Sequence, residues 1–448
     1  MRIACVHVPQ FALQSICRID PSLRGAAVAV VGAGFDPAAG VRPSLALHSP
    51  IVLACSRAAW SVGVRLGMTA GAARFVSSEL RVVAADAQLE RETVRAIADG
   101  LLGVSAVVDT GGRVGAGGAH LAMYCEVPSK TRGTTFGDRL LDLLDALGLA
   151  ARISIADDRF TAWVAAAHGA EEAGAREEGG VVIVPRGGSA AFLAPRPLSL
   201  LAITPEVQHM LEALGVRTLG EFAALPAPSV SRPLEADYQA LARGDSGCAL
   251  RPYAPEAPIR EELAVGSAGS LFGGATAVAA LAERLALRLS GRARGAARLE
   301  VTIAGQGGER VVPIAAERAA SSEDELAQLI APLVGESHGA SARLRVVIVG
   351  EAIAGADVPA AAEPMAGASA AGASVAVTAS SPGEEAPAEE LGQLVFLGHP
   401  GQAGHAPTWQ VTGPQALRSE RRDAHRRTRR AKPRRRPAVV QSQLFGNR

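Results

Sequence analysis

The side chains able to do chemistry are thinly spread along this 448-residue chain. His7, His120 and His168 stand far apart, and the five cysteines, Cys5, Cys17, Cys55, Cys125 and Cys248, include no CxxC pair. Metal ligation, a nucleophilic triad or paired acid–base carboxylates would each need two or three such groups at a recognisable spacing. That spacing is missing, and an isolated histidine reads as structural. Acids of the first half fall mostly on solvated helix faces, so hydrolase and metalloenzyme chemistry is disfavoured. Two glycine-rich stretches also fail as phosphate cradles. Gly32-x-Gly34 follows a strand-like run, but Pro37 holds the third glycine position of a dinucleotide fingerprint. Gly111–Gly118 lacks the Lys-Ser or Lys-Thr of a P-loop and reads as a loop between strands. No cofactor is expected.

The far end of the chain offers a different chemistry. Net charge is only +1, yet residues 421–436 carry ten Lys or Arg in sixteen, among them Arg426, Arg427, Arg429, Arg430, Lys432, Arg434, Arg435 and Arg436. Such a run favours phosphates by counterion release, which is salt-sensitive and indifferent to base sequence. Its other reading is a solvated linker. Just beyond lies Gln441-Ser442-Gln443-Leu444-Phe445, the Gln-x-x-Leu-Phe pattern by which bacterial proteins dock on the sliding clamp. In that mode the amide meets a polar rim while Leu444 and Phe445 fill an apolar pocket. Gln393-Leu394-Val395-Phe396-Leu397 is a competing segment with its Leu and aromatic in reversed order.

These features require elements to position them. The runs Arg2–Val8, Ala26–Val31 and Arg152–Ala156 predict buried strands, and the apolar spacing of Glu90–Leu102 and Thr135–Leu147 predicts amphipathic helices. A mixed α/β (α+β) domain over residues 1–195 follows. Over 196–261 the texture turns helical: Thr204 caps a helix with Pro205 at its first position and Gly215 at its end, and Thr218–Leu225 forms a second. The pair resembles half of a helix-hairpin-helix. A smaller α/β unit over 262–352 has helices at Thr276–Ser290 and Glu323–Val334 and strands at Arg298–Ala304 and Ala342–Val349. Residues 353–448 are rich in Ala, Gly, Pro and Ser and predict a disordered tail. No uncharged apolar stretch reaches the roughly 18–20 residues that span a bilayer, and no targeting peptide precedes the first strand. A cytoplasmic protein is the expectation, consistent with the scattered cysteines.

Three segments carry a family resemblance. IACVHVPQFALQ at Ile3–Gln14, the stretch Val52–Ala73 with LACSRAAWSVGVRLGMTAGAA within it, and the stretch Ala151–Ala165 resemble, in order, the first palm strand, the finger segment and the later palm strand and helix of the Y-family translesion DNA polymerases (DinB/UmuC-like). The core Gly63, Val64, Arg65, Gly67 and Met68 is the most specific match. The resemblance implies palm and fingers over 1–195, a helical thumb over 196–261 and a little finger over 262–352. It also implies two metal ions held by carboxylates. Here the chain departs from the family: His7 and Pro9 stand where the family has acids, Asp109 and Glu126 merely flank the acid-free stretch 110–124, and Arg57 and Trp60 replace the triphosphate contacts. That pattern is similar to the catalytically inactive ImuB-type branch.

The expectation is therefore a non-enzymatic adaptor in DNA damage tolerance and induced (SOS) mutagenesis, with DNA and the sliding clamp (beta subunit) as partners. The resemblance implies two more, a RecA-like accessory protein and an error-prone replicative-type polymerase. Two alternatives remain open: an active translesion polymerase using Asp109, Glu126 or Asp157 as displaced ligands, and a basic-tailed DNA-binding protein without clamp contact.

Overall fold

The computed structural model describes residues 1–32, 50–115, 118–169, 176–178 (backbone only), 180–226, 238–247, 249–266, 273–305, 308–334 and 342–358. The segments expected to bind DNA and the clamp, 421–436, 441–445 and 393–397, lie outside the described residues.

The run IACVHV has no exposed residue, and it forms β1 (Ile3–Val8) at the centre of a six-stranded sheet. Its neighbours, both antiparallel, are β6 (His120–Glu126) and β7 (Arg152–Ala156). Outside them lie β5 (Val108–Val114), β9 (Val181–Ile183) and β8 (Arg176–Glu178). Strand alternation divides β1 between two cores. Ala4, Val6 and Val8 face helices α1 (Phe11–Ile19), α4 (Ala87–Leu102) and α5 (Gly133–Ala146), packing with Phe11, Ile97, Leu101, Phe136 and Leu140. Ile3 and Cys5 face the other way, into a core shared with Phe160 and Trp163 of α6 (Arg159–His168).

Gly111 departs from the expected loop. It lies within β5, where a bulge between Asp109 and Gly112 shifts the register and its φ is +60°. A Cβ there would stand 1.9 Å from the carbonyl oxygen of Ala122, so the partner strand can close up only on glycine.

A second, three-stranded sheet holds β2 (Val28–Gly32) between β3 (Ile51–Cys55) and β4 (Arg81–Ala84). Two short helices, α2 (Arg57–Ser61) and α3 (Ala70–Val76), cover it through Ala59, Val64, Ala70 and Ala73.

The expected helical pair is present as α8 (Pro205–Ala213), capped by Thr204, and α9 (Leu219–Ala224), which opens with a reciprocal Thr218–Glu221 capping box. With α7 (Ser189–Leu193) and α10 (Tyr238–Arg243) they bury Phe192, Leu211 and Phe222 against the α6 side of the main sheet.

The last unit is a four-stranded antiparallel sheet ordered β10 (Ile259–Val265), β13 (Ala342–Ile353), β11 (Arg294–Gly305), β12 (Gly308–Ala320). Helices α11 (Gly274–Arg292) and α12 (Glu323–Val334) cover one face. Residues 355–358 still hydrogen-bond to β12, since Val358 donates to the Glu317 carbonyl and Ala319 to that of Ala356. No helix among the described residues is long and apolar enough to cross a membrane.

Candidate functional site

The residues singled out in the first strand come together on the α6 side of β1. His7 pairs with Ala122 of β6 and Arg152 of β7, while Cys5, one step along the same face, pairs with Tyr124, which in turn pairs with Asp109 of β5. His7 and Asp109 therefore share a face. The sequence alone did not reveal this, because the bulge that sets the register of Asp109 comes from the pairing of β5 with β6.

His7 is 4% exposed, and its ring lies 5.2 Å from that of His120. Burial, then the positive charge of neighbouring groups, holds the His7 imidazole well below its ordinary range and pushes His120 down to about 4, so both are neutral at pH 7. The Gln10 backbone N–H donates to His120 Nδ1 at 3.1 Å, so the proton of that ring sits on Nε2. Nδ1 of His7 is buried without a hydrogen-bond partner.

Three carboxylates were candidates for displaced ligands; two are held in ion pairs, and the third lies at the far end of β1 from His7. Asp109 is 4% exposed; it accepts from the Gly111 and Arg251 backbone N–H groups, each at 2.8 Å, and pairs with Arg159 at 3.1 Å. The Arg159 guanidinium also lies 4.4 Å over the Tyr124 ring. Asp157 pairs with Arg2 at 2.9 Å and accepts from Gly187 N–H at 2.6 Å, at the opposite end of β1 from His7. Glu126 pairs in register with Ile3, likewise at that far end. Among the described residues, no three His, Cys, Asp or Glu side chains are grouped to hold a metal ion.

The donor set does not fit a pair of divalent cations. Its centre presents neutral imidazoles beside Arg152, and Asp109, on the same face, is neutralised by Arg159. Hard cations take oxygen ligands and are repelled by guanidinium groups. Pro9 lies in the turn after β1, and its carbonyl accepts from Gln14 Nε2 at 2.7 Å.

The finger-like segment is positioned by caps and glycines. Ser56 caps α2 by accepting from Ala59 N–H at 3.1 Å, and its hydroxyl donates to the Ala26 carbonyl at 2.8 Å, tying the helix to β2. Arg57 is exposed, and so is Trp60, with the Arg65 guanidinium 4.2 Å over its ring. Gly63 (φ +102°) and Gly67 (φ +80°) turn the chain so that Gly67 N–H reaches the Val52 carbonyl at 2.9 Å and Val64 is buried. The Gly-Val-Arg-x-Gly-Met pattern thus has a structural explanation. Gln10 was missed in the sequence. It adopts φ 48°, and its side-chain oxygen accepts from Cys55 N–H at 3.1 Å, so it joins the main sheet to the three-stranded one.

Among solved structures, the crystal structure of DinB from Sulfolobus solfataricus is similar at 13% identity, with a TM-score of 0.42, covering 79% of this chain and all of that one. An insertion ternary complex of Dbh DNA polymerase is similar at 13% identity and a TM-score of 0.43, covering 78% of this chain and 98% of that one. A post-insertion binary complex of Dbh gives 13%, 0.44, 78% and 98% for the same quantities. No curated protein matches significantly. Residues 6–167, which run from β1 through the finger-like segment to α6, match the model of the IMS family, described as impB/mucB/samB.

Proposed function

We propose that this protein is a non-catalytic, ImuB-type relative of the Y-family polymerases. In this reading it acts in translesion synthesis as an adaptor that holds DNA, docks on the sliding clamp through Gln441–Phe445 and brings an error-prone polymerase to the lesion, alongside a RecA-like accessory protein. The family match over residues 6–167 supports the lineage. The observation that carries the loss of catalysis is the centre of the α6-side face, where His7, His120 and Arg152 stand and Asp109 is bound to Arg159. Two-metal phosphoryl transfer needs carboxylates that clamp both the attacking and the leaving oxygen, and among the described residues no free set converges there.

A second reading, an active polymerase with displaced ligands, draws on Asp109 sharing the face of His7. One preparation tests both. Primer extension with Mg²⁺ or Mn²⁺ is run beside clamp binding by the intact chain and by a Gln441→Ala, Leu444→Ala, Phe445→Ala variant. The adaptor reading expects no extension by either protein and clamp binding abolished in the variant. Metal-dependent extension would establish the second reading, and unchanged clamp binding would remove Gln441–Phe445 as the docking site.

A further inference from the structure

We infer that the module formed by β10–β13, α11 and α12 is latched to the main sheet's helices by a buried ion cluster, so that its placement is set by the chain itself, whatever the protein's role on DNA.

Helix α11 crosses α4 with the two backbones touching. A Cβ on Gly291 would stand 1.7 Å from the Asp99 carbonyl oxygen, and one on Gly103 would stand 3.5 Å from Gly291 Cα. Only glycine allows this approach. At the crossing Asp99, fully buried on α4, is surrounded by donors from the module and from the segment leading to it. Arg288 Nε donates to Oδ2 at 2.8 Å, Arg292 donates to both oxygens at 3.0 and 2.9 Å, and the Tyr253 hydroxyl lies 3.1 Å from Oδ1. Arg288 Nη2 lies 2.8 Å from Oδ2 without hydrogen-bond alignment.

A second acid extends the cluster to α1. Glu261 of β10 is 2% exposed; it accepts from Arg18 of α1 at 2.5 Å and from Arg288 at 3.0 Å. Burial opposes its ionisation, but the charges of Arg18 and Arg288 outweigh that and hold the carboxyl below the ordinary glutamate range. Backbone carbonyls complete the set. Arg18 donates to Leu147, Arg284 to Arg18, Arg288 to Arg260 and Arg292 to Glu256.

The physical consequence is an all-or-none interface. A buried ion cluster adds little net stability over an apolar one, yet removing a single partner strands the others in a dry site. The geometry therefore selects one docked arrangement and penalises every nearby one. A tether ahead of the module reinforces it, since Tyr253 N–H donates to the Val108 carbonyl of β5 at 2.7 Å.

The test is hydrogen exchange and chymotrypsin cleavage after Tyr253 in the full chain, comparing the wild type with Asp99→Asn, Gly291→Val and the surface control Glu300→Gln. The latch expects Asp99→Asn and Gly291→Val each to accelerate exchange in 284–292 and cleavage after Tyr253 by about a hundredfold, the shift that follows from stranding a buried charge or blocking the crossing. It expects strands β11 and β13 to stay protected in both, and Glu300→Gln to behave as wild type. Cleavage unchanged in both variants would overturn the inference. So would a wild type already as open as the variants, or loss of protection throughout the module in both, which would make the cluster a folding core.

Discussion

At the scale of the residue, His7 sets the character of the α6-side face of β1. A buried imidazole beside His120 and Arg152 is kept neutral, and that carries a pH signature. The folded-state value of His120, about 4, lies below the ordinary 6.5. Between those values the unfolded chain binds a proton that the fold does not, so stability falls as pH drops from about 6.5 towards 4 and is fully regained above it. His7 adds in the same direction. Urea unfolding at pH 7 and pH 4.5 is expected to show a loss on the order of 2–4 kcal/mol, and His120→Gln is expected to flatten the slope. A profile that does not differ between the two proteins would mean that the pair does not titrate as buried. Asp109, by contrast, is held by Arg159 and two backbone N–H groups. Its replacement by Ala is expected to destabilise the fold by roughly 3 kcal/mol, because Arg159 is left without its counter-charge, measurable by the same unfolding curves.

Among the elements, glycine placement and caps decide how the finger-like loop and the helical pair are held. Gly67 sits at φ +80°, with open space where a Cβ would go. Gly67→Ala is therefore expected to cost about 1–2 kcal/mol from backbone strain alone. Phe222, fully buried on the short helix α9, is a different case. Phe222→Ala empties a packed site and is expected to cost about 3–5 kcal/mol. Differential scanning calorimetry of the two variants would rank them; a smaller effect at Phe222 than at Gly67 would mean that the helical pair contributes little to the cooperative unit.

For the whole molecule, the division of labour follows from charge. Net charge is near zero, but ten basic residues are concentrated in 421–436. If they provide the nucleic-acid affinity, replacing them with Gln is expected to lower the slope of log affinity against log salt by about 0.9 for each phosphate no longer neutralised, or about 0.7 on single strands. Fluorescence anisotropy over a salt titration reads this directly. An unchanged slope would move the DNA-binding surface to the folded units.

Local chemistry made much of this protein legible from its sequence. The apolar run at Ile3–Val8, broken only by His7, the Thr204-Pro205 cap and the 3.6-residue spacing of Glu90–Leu102 each specify an element through interactions between near neighbours. The run at 308–320 was missed because Pro313 and scattered charges obscure its alternation, and only pairing with β11 makes it a strand. Pairing also decided the candidate site. The bulge after Asp109, the meeting of His7 with His120 and the glycine crossing of α4 with α11 depend on residues more than a hundred positions apart, or on backbones brought together by packing. Spacing along a chain records which neighbours a residue has in its own helix or strand. Which strand lies beside it, and which charge faces it across a core, is settled only when the apolar faces of different elements are buried against one another.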